Sequence, residues 1–256
     1  MTKSTRLVEL SSPEIRDAIE RSNTLILPVG SIECNGPHLP VSQDCLVAED
    51  IAGRLGQRTA TLVAPTIPWG VADALMGFPG TISIGNRTLT DLVKDICRSY
   101  QRHGIKKVFI LNAHIYNIWP INVAIEELRA DGLYAIQAVW WSVVERLCND
   151  MTKTKNNPHG HGSEVSTSVV MAIRGDLVDL SKAVEEKPIQ GFELSHENDY
   201  PSVYAFDDYI QITRNGILGD PTLASKDEGE KIIQKSLEYL ERILNDLKST
   251  PYPLNK

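Results

Sequence analysis

Three clusters in this chain hold the residue types that do chemistry. The first is Gly30-Ser31-Ile32-Glu33-Cys34-Asn35-Gly36-Pro37-His38-Leu39-Pro40, followed shortly by Asp44. The second is Asn112-Ala113-His114-Ile115-Tyr116-Asn117, and the third is His159-Gly160-His161-Gly162-Ser163-Glu164. Mixed carboxylate and imidazole donors suit Zn²⁺ or Mn²⁺. Burying them together without a cation or a substrate is costly. Glu33, Asp44 and His114 therefore form a candidate ligand set, and the clusters together point to a divalent-metal hydrolase. Each residue also has a plainer reading. Glu33 can close a turn, Asp44 can stand at a helix start where acidic residues are common, and His114 can be a hydrogen-bonded loop histidine. Glu164 suits a helix N-terminus through the dipole, His159 suits a solvated loop, and Asn117 suits a turn. Cys34 and Cys45 flank the proposed ligands, which leaves a thiolate contact open.

These groups need elements that bring them together. The apolar run Thr24-Leu25-Ile26-Leu27-Pro28-Val29 reads as a buried strand leading into the first cluster, and residues 107–111 read as one leading into the second. Residues 61–64 and 134–140 are further strands, with Trp140 and Trp141 at the end of the last. Helical spacing covers 12–22, with Ser12 as N-cap and Pro13 in the first turn, then 44–55, 88–103, 118–131, 163–174 and 225–247. Gly104 is a natural stop for the 88–103 helix. Residues 185–215 lack periodicity and read as a long loop or edge hairpin. Strands alternating with helices predict an α/β fold, a mostly parallel sheet with helices on both faces. Ligand sites in such sheets lie at the carboxyl ends of the strands, where these clusters fall. Trp69, Trp140 and Trp141 either line that pocket or pack in the core.

Composition narrows the functional class. The 256 residues carry a net charge of −7 and no long basic cluster, which argues against phosphate-backbone binding and hence against a nucleic-acid partner. No run approaches the roughly 18 apolar residues of a membrane span. The four cysteines show no C-x-x-C spacing and read as reduced thiols, so a cytoplasmic location is expected. One domain over residues 1–256 is the simplest organisation.

The clusters resemble the creatininase (creatinine amidohydrolase) family. Its G-S-x-E-Q-H-G-P-H-L-P pattern with a following aspartate corresponds to residues 30–40 with Asp44. Its F-P-G-T turn corresponds to Phe78-Pro79-Gly80-Thr81. Its N-G-H-G-G-N and H-A-G-E-x-E-T-S patterns correspond to residues 112–117 and 161–168, and Gly216-Ile217-Leu218-Gly219-Asp220-Pro221 resembles its C-terminal pattern. The resemblance implies a three-layer α/β/α sandwich, a homohexamer, and one or two Zn or Mn ions per chain. It implies that Glu33, Asp44 and His114 hold one metal, that Asp44 bridges to a second, that Glu164 is a further ligand, and that His161 shuttles a proton. Asn35 stands where the family carries a histidine for the second metal, and Tyr116 where creatininase carries a metal-binding glutamate. Leu75 and Ser166 depart from the pattern too, so creatinine is not the expected substrate.

The expected activity is opening of an amide (a lactam or formamide) or related carbonyl bond in a small polar, cyclic or formylated compound. His161 would act as base, and Glu164 would complete the metal shell or orient water. Tyr116 and His38 would orient the substrate, with Asn35, His159 and Trp140 as further metal or substrate contacts. Two rival readings are carbon–carbon cleavage in the ring of an oxidised cyclitol and a non-catalytic binding subunit with a degenerate metal site.

Overall fold

The structure is a computed structural model describing residues 4–189 and 208–252. Strands β1 (Thr24–Val29), β2 (Leu62–Val63), β3 (Lys107–Asn112) and β4 (Tyr134–Val139) pair in parallel in the order β2-β1-β3-β4. Parallel strands covered on both faces need apolar side chains at every position. β1 shows this directly. Leu25, Leu27 and Val29 face one core, and Ile26 faces the other. Helices α1 (Ser12–Arg21), α3 (Asn86–Arg102) and α4 (Ile118–Ala130) cover the first face. Helices α2 (Gln43–Thr59), α5 (Trp140–Cys148), α6 (Glu164–Arg174) and α8 (Lys226–Ser249) cover the second. The short α7 (Tyr209–Ile212) is separate from both sets.

The element ends follow from local chemistry. α1 is capped one residue earlier than its sequence suggests, because Glu14 reaches back 2.7 Å to the Ser11 N–H in a capping box. Gly104, with φ +107°, ends α3 as expected. Residues 185–215 fall partly outside the described residues. Within the described part, Glu186 bridges Gly219 and α7 forms. The expected strand to residue 140 is corrected. β4 stops at Val139 and Trp140 opens α5, because Trp140, Val144 and Cys148 recur at helical spacing and bury together.

The register aligns the carboxyl ends. Val29 pairs with Asn112, and Asn112 with Val139. After β1 the chain leaves through α2 on one face, and after β3 it leaves through α4 on the other. Departure to opposite faces opens a crevice between neighbouring strand ends, the usual ligand position in open α/β sheets. Among the described residues, no helix is long and apolar enough to cross a membrane.

Candidate metal centre

The crevice receives Glu33 and Asp44 from the β1 side and His114 from the β3 side. Among the described residues, the donor atoms of these three lie within 4.8 Å of one another, and all three side chains are buried. Asp44 lies in the first turn of α2 but does not cap it. Its Oδ2 turns inward to His114 Nδ1 at 3.0 Å, and Glu33 Oε2 meets the same nitrogen at 3.0 Å. Gly30 permits this approach. A Cβ there would sit 2.7 Å from the Cys45 backbone nitrogen, so only glycine lets the start of α2 lie against the β1 exit.

The His114 tautomer follows from its other nitrogen. Nε2 lies 2.8 Å from the Val71 carbonyl, which can only accept, so Nε2 carries a proton. In the neutral ring the Nδ1 lone pair then points at two carboxylate oxygens. Three electron donors converge, and the donor set fits a divalent cation. With a proton in place of an ion, burial opposes charge on His114, but the Glu33 charge and hydrogen bonds to both carboxylates outweigh it and raise its pKa well above the ordinary value. Glu33 is held well below the usual carboxylate range by His114 and His161, against a strong opposing push from burial. Burial and then the Glu33 charge push Asp44 up.

Ser31, Asn117 and Trp141 complete the support. Ser31 Oγ lies 2.8 Å from Glu33 Oε2 and 2.9 Å from Asp44 Oδ2. Asn117 accepts from the Val71 N–H at 2.9 Å and donates to the Gly30 carbonyl at 3.0 Å, clamping the loop that fixes His114. It is thus more than a turn former. Trp141 donates to the Ala113 carbonyl at 2.6 Å and to Asp44 Oδ1 at 3.3 Å. Ser31 could have been found two positions before Glu33. Asn117 ends the 112–117 pattern, but the pattern does not say that this residue clamps Val71 to Gly30.

His161 approaches from the other side. Nδ1 donates to the Gly216 carbonyl at 2.6 Å, which turns Nε2 toward Glu33 Oε1 at 3.2 Å. Its side chain is 15% exposed against 2% for Glu33, so it stands between the donors and solvent. The Tyr209 ring packs edge-on against it, with centroids 5.0 Å apart.

Several expected site residues are placed elsewhere. Glu164 is outside the donor group. Its carboxylate accepts from the Lys153 N–H and, at 2.7 Å, from the Thr154 N–H, pinning that segment to the start of α6. His159 is also outside the group. Its Nε2 is buried without a hydrogen-bond partner among the described residues, and burial lowers its pKa. Trp140 is a core residue, fully buried with its indole N–H on Ser236 Oγ at 3.2 Å. Trp69 is half-exposed. Tyr116 does lie at the site, edge-on to His114 with centroids 5.6 Å apart. The thiols are not in the donor group either. Burial and then the Asp44 charge push Cys45 up to about 12, and it donates to the Ser31 and Pro68 carbonyls. Cys34 faces the Asn215 carbonyl.

His38 ties the first loop to α6 through Nε2, 2.9 Å from Thr167 Oγ1, and burial lowers its pKa to about 4. The unfolded chain therefore binds an extra proton between about pH 6.5 and 4. The stability this residue contributes is whole above pH 6.5 and is lost as pH falls through that window. Between pH 7 and 4.5 the loss is roughly 2–3 kcal/mol. Urea unfolding of the wild type should show that much more acid loss than His38→Gln, and parallel losses would refute the assignment.

The chain is similar to known proteins over most of its length. The family model described as creatininase, creatinine amidohydrolase, matches residues 8–244. The creatinine amidohydrolase of Pseudomonas putida is 29% identical over 252 residues, covering 91% of this chain and 94% of that protein. The mycofactocin precursor peptide peptidase of Mycolicibacterium smegmatis is 30% identical over 214 residues, covering 81% and 78%. A solved mutant creatininase described as Zn–Zn type superposes with a TM-score of 0.78 at 26% identity, covering 97% of this chain and all of that one.

Proposed function

Because the chain belongs to the creatininase family, we propose that it is a metal-dependent hydrolase that opens an amide bond, in a lactam or formamide, of a small polar compound. One observation carries the reading. The His114 Nδ1 lone pair and two carboxylate oxygens converge within 3.0 Å, with the far nitrogen of the ring committed to Val71. Glu33, Asp44 and His114 would hold Zn²⁺ or Mn²⁺. When bound, such an ion polarises a carbonyl and lowers the pKa of water from near 16 towards roughly 7.

The chain's own groups supply the rest. Ser31 keeps the two carboxylates oriented, and Val71 holds the Nε2–H tautomer of His114, which in the neutral ring leaves the Nδ1 lone pair for the ion. Gly216 fixes His161 with Nε2 free to take a proton from attacking water and return it to the leaving nitrogen. A proton taken up there is shared with Glu33 Oε1 in a charge-assisted hydrogen bond. Glu164 is retained only as a support for the 153–154 segment. Homo-oligomeric assembly and a cytoplasmic location belong to the same reading, supported by family membership and composition.

The test is hydrolysis of a panel of lactams, formamides, short peptide amides and ring ketones, with and without chelator. Turnover on a lactam or formamide that a chelator abolishes and Zn²⁺ or Mn²⁺ restores supports the proposal. Turnover confined to the ring ketones would move the assignment to carbon–carbon cleavage. Chelator-insensitive turnover would refute the role of the three donors.

A further inference from the structure

Asp44 has two carboxylate oxygens in different surroundings. Oδ2 belongs to the three-donor group. Oδ1 faces away from it and is met by two N–H donors, Trp141 Nε1 at 3.3 Å and Gln43 Nε2 at 3.5 Å. The single indole hydrogen goes mainly to the Ala113 carbonyl at 2.6 Å, so the Gln43 NH₂, which carries two hydrogens, is the group that can give Oδ1 one of its own. The same Gln43 nitrogen donates to Asn35 Oδ1 at 3.0 Å. The orientation of both amides follows from their partners. Asn35 Nδ2 donates to the Glu33 carbonyl at 3.3 Å, so its oxygen must face Gln43, and Gln43 must present its NH₂.

The two oxygens that could chelate another cation beside the first are therefore bridged by an amide nitrogen. Its hydrogens carry partial positive charge and stand where that cation would have to sit. Both side chains are buried, 1% exposed for Asn35 and 3% for Gln43, so water does not compete for these bonds. Tyr116, beside His114, adds a phenol rather than a carboxylate. His159 does not join any three-donor group among the described residues.

We propose that this site takes a single divalent ion, and that the Gln43 amide, braced by Asn35 and Trp141, replaces the second ion of the Zn–Zn relative. This rests on the metal-hydrolase reading and makes Gln43 a positioning residue. It holds Asp44 so that only Oδ2 faces the ion, and it offers Oδ1 an amide N–H in place of a second positive charge.

The experiment loads the purified full chain with excess MnCl₂, removes unbound metal, and reads manganese per chain by elemental analysis with the electron paramagnetic resonance spectrum beside it. The wild type should hold one Mn²⁺ with the six-line signal of an isolated ion. The double variant Asn35→His/Gln43→Ala frees Asp44 Oδ1 and adds an imidazole, and should rise to two with an exchange-coupled signal. Two coupled ions in the wild type would overturn the proposal while leaving the hydrolase reading intact. A double variant that folds by circular dichroism yet stays at one would overturn the role given to Gln43. A wild type that takes up no ion would overturn the hydrolase reading itself. The wild-type count stands whether or not the variant folds.

Discussion

His161→Ala should lower turnover by about 10²–10⁴-fold, the usual contribution of a positioned acid–base group, and leave bound metal at the wild-type level. Both halves come from one geometry. Nδ1 is committed to the Gly216 carbonyl and Nε2 points at Glu33 Oε1, while the three donors of the metal group are complete without it. The substitution removes a proton carrier without removing a ligand. Steady-state turnover on the panel substrate and elemental analysis of the same preparation check the result together. Metal content falling in step with turnover would make His161 a ligand. Unchanged turnover would place the base elsewhere.

Metal removal should have the larger effect on stability. A ligand that binds only the folded state stabilises it by about 4 kcal/mol when its free concentration is about 1,000 times Kd. In a chain of this size that is roughly 8–16 °C in Tm. Part of that energy is the cost of leaving Glu33, Asp44 and His114 buried without an ion, where they must share protons. Calorimetry after chelation should show the drop, and added Zn²⁺ or Mn²⁺ should reverse it. Asp44→Ala should melt at one temperature with or without metal. A wild type indifferent to chelator and to added metal would show that the three donors hold no ion.

The support around the donors sorts by whether its effect is local in the chain. Ser31 acts two residues from Glu33, so a sequence pattern can carry it. Gln43 acts on Asn35 across a loop, and only the fold of that loop turns its NH₂ toward the carboxylate beside it in sequence. Val71 fixes the His114 ring from a distant loop, which Asn117, three residues after His114, clamps in place, and neither residue type advertises that role.

By itself the sequence placed the strands and the parallel sheet and, with the family pattern, named Glu33, Asp44 and His114 as candidates, which the structure brings together. Each rests on a short-range signal: an unbroken apolar run for a strand buried on both faces, helical spacing between runs, and a carboxylate or imidazole just past a strand end (Glu33, His114) or in the first turn of the next helix (Asp44). The tertiary structure decided the rest. It moved Trp140 from strand end to core, because burial against α8 outweighs the strand preference of an aromatic residue. It drew Glu164 to the backbone of Lys153 and Thr154, since a buried carboxylate takes the donors that surround it and not those its motif suggests. It also chose which oxygen of Asp44 faces the donor group. That choice depends on side-chain rotation and on Trp141, 97 residues along the chain, and no local pattern encodes either.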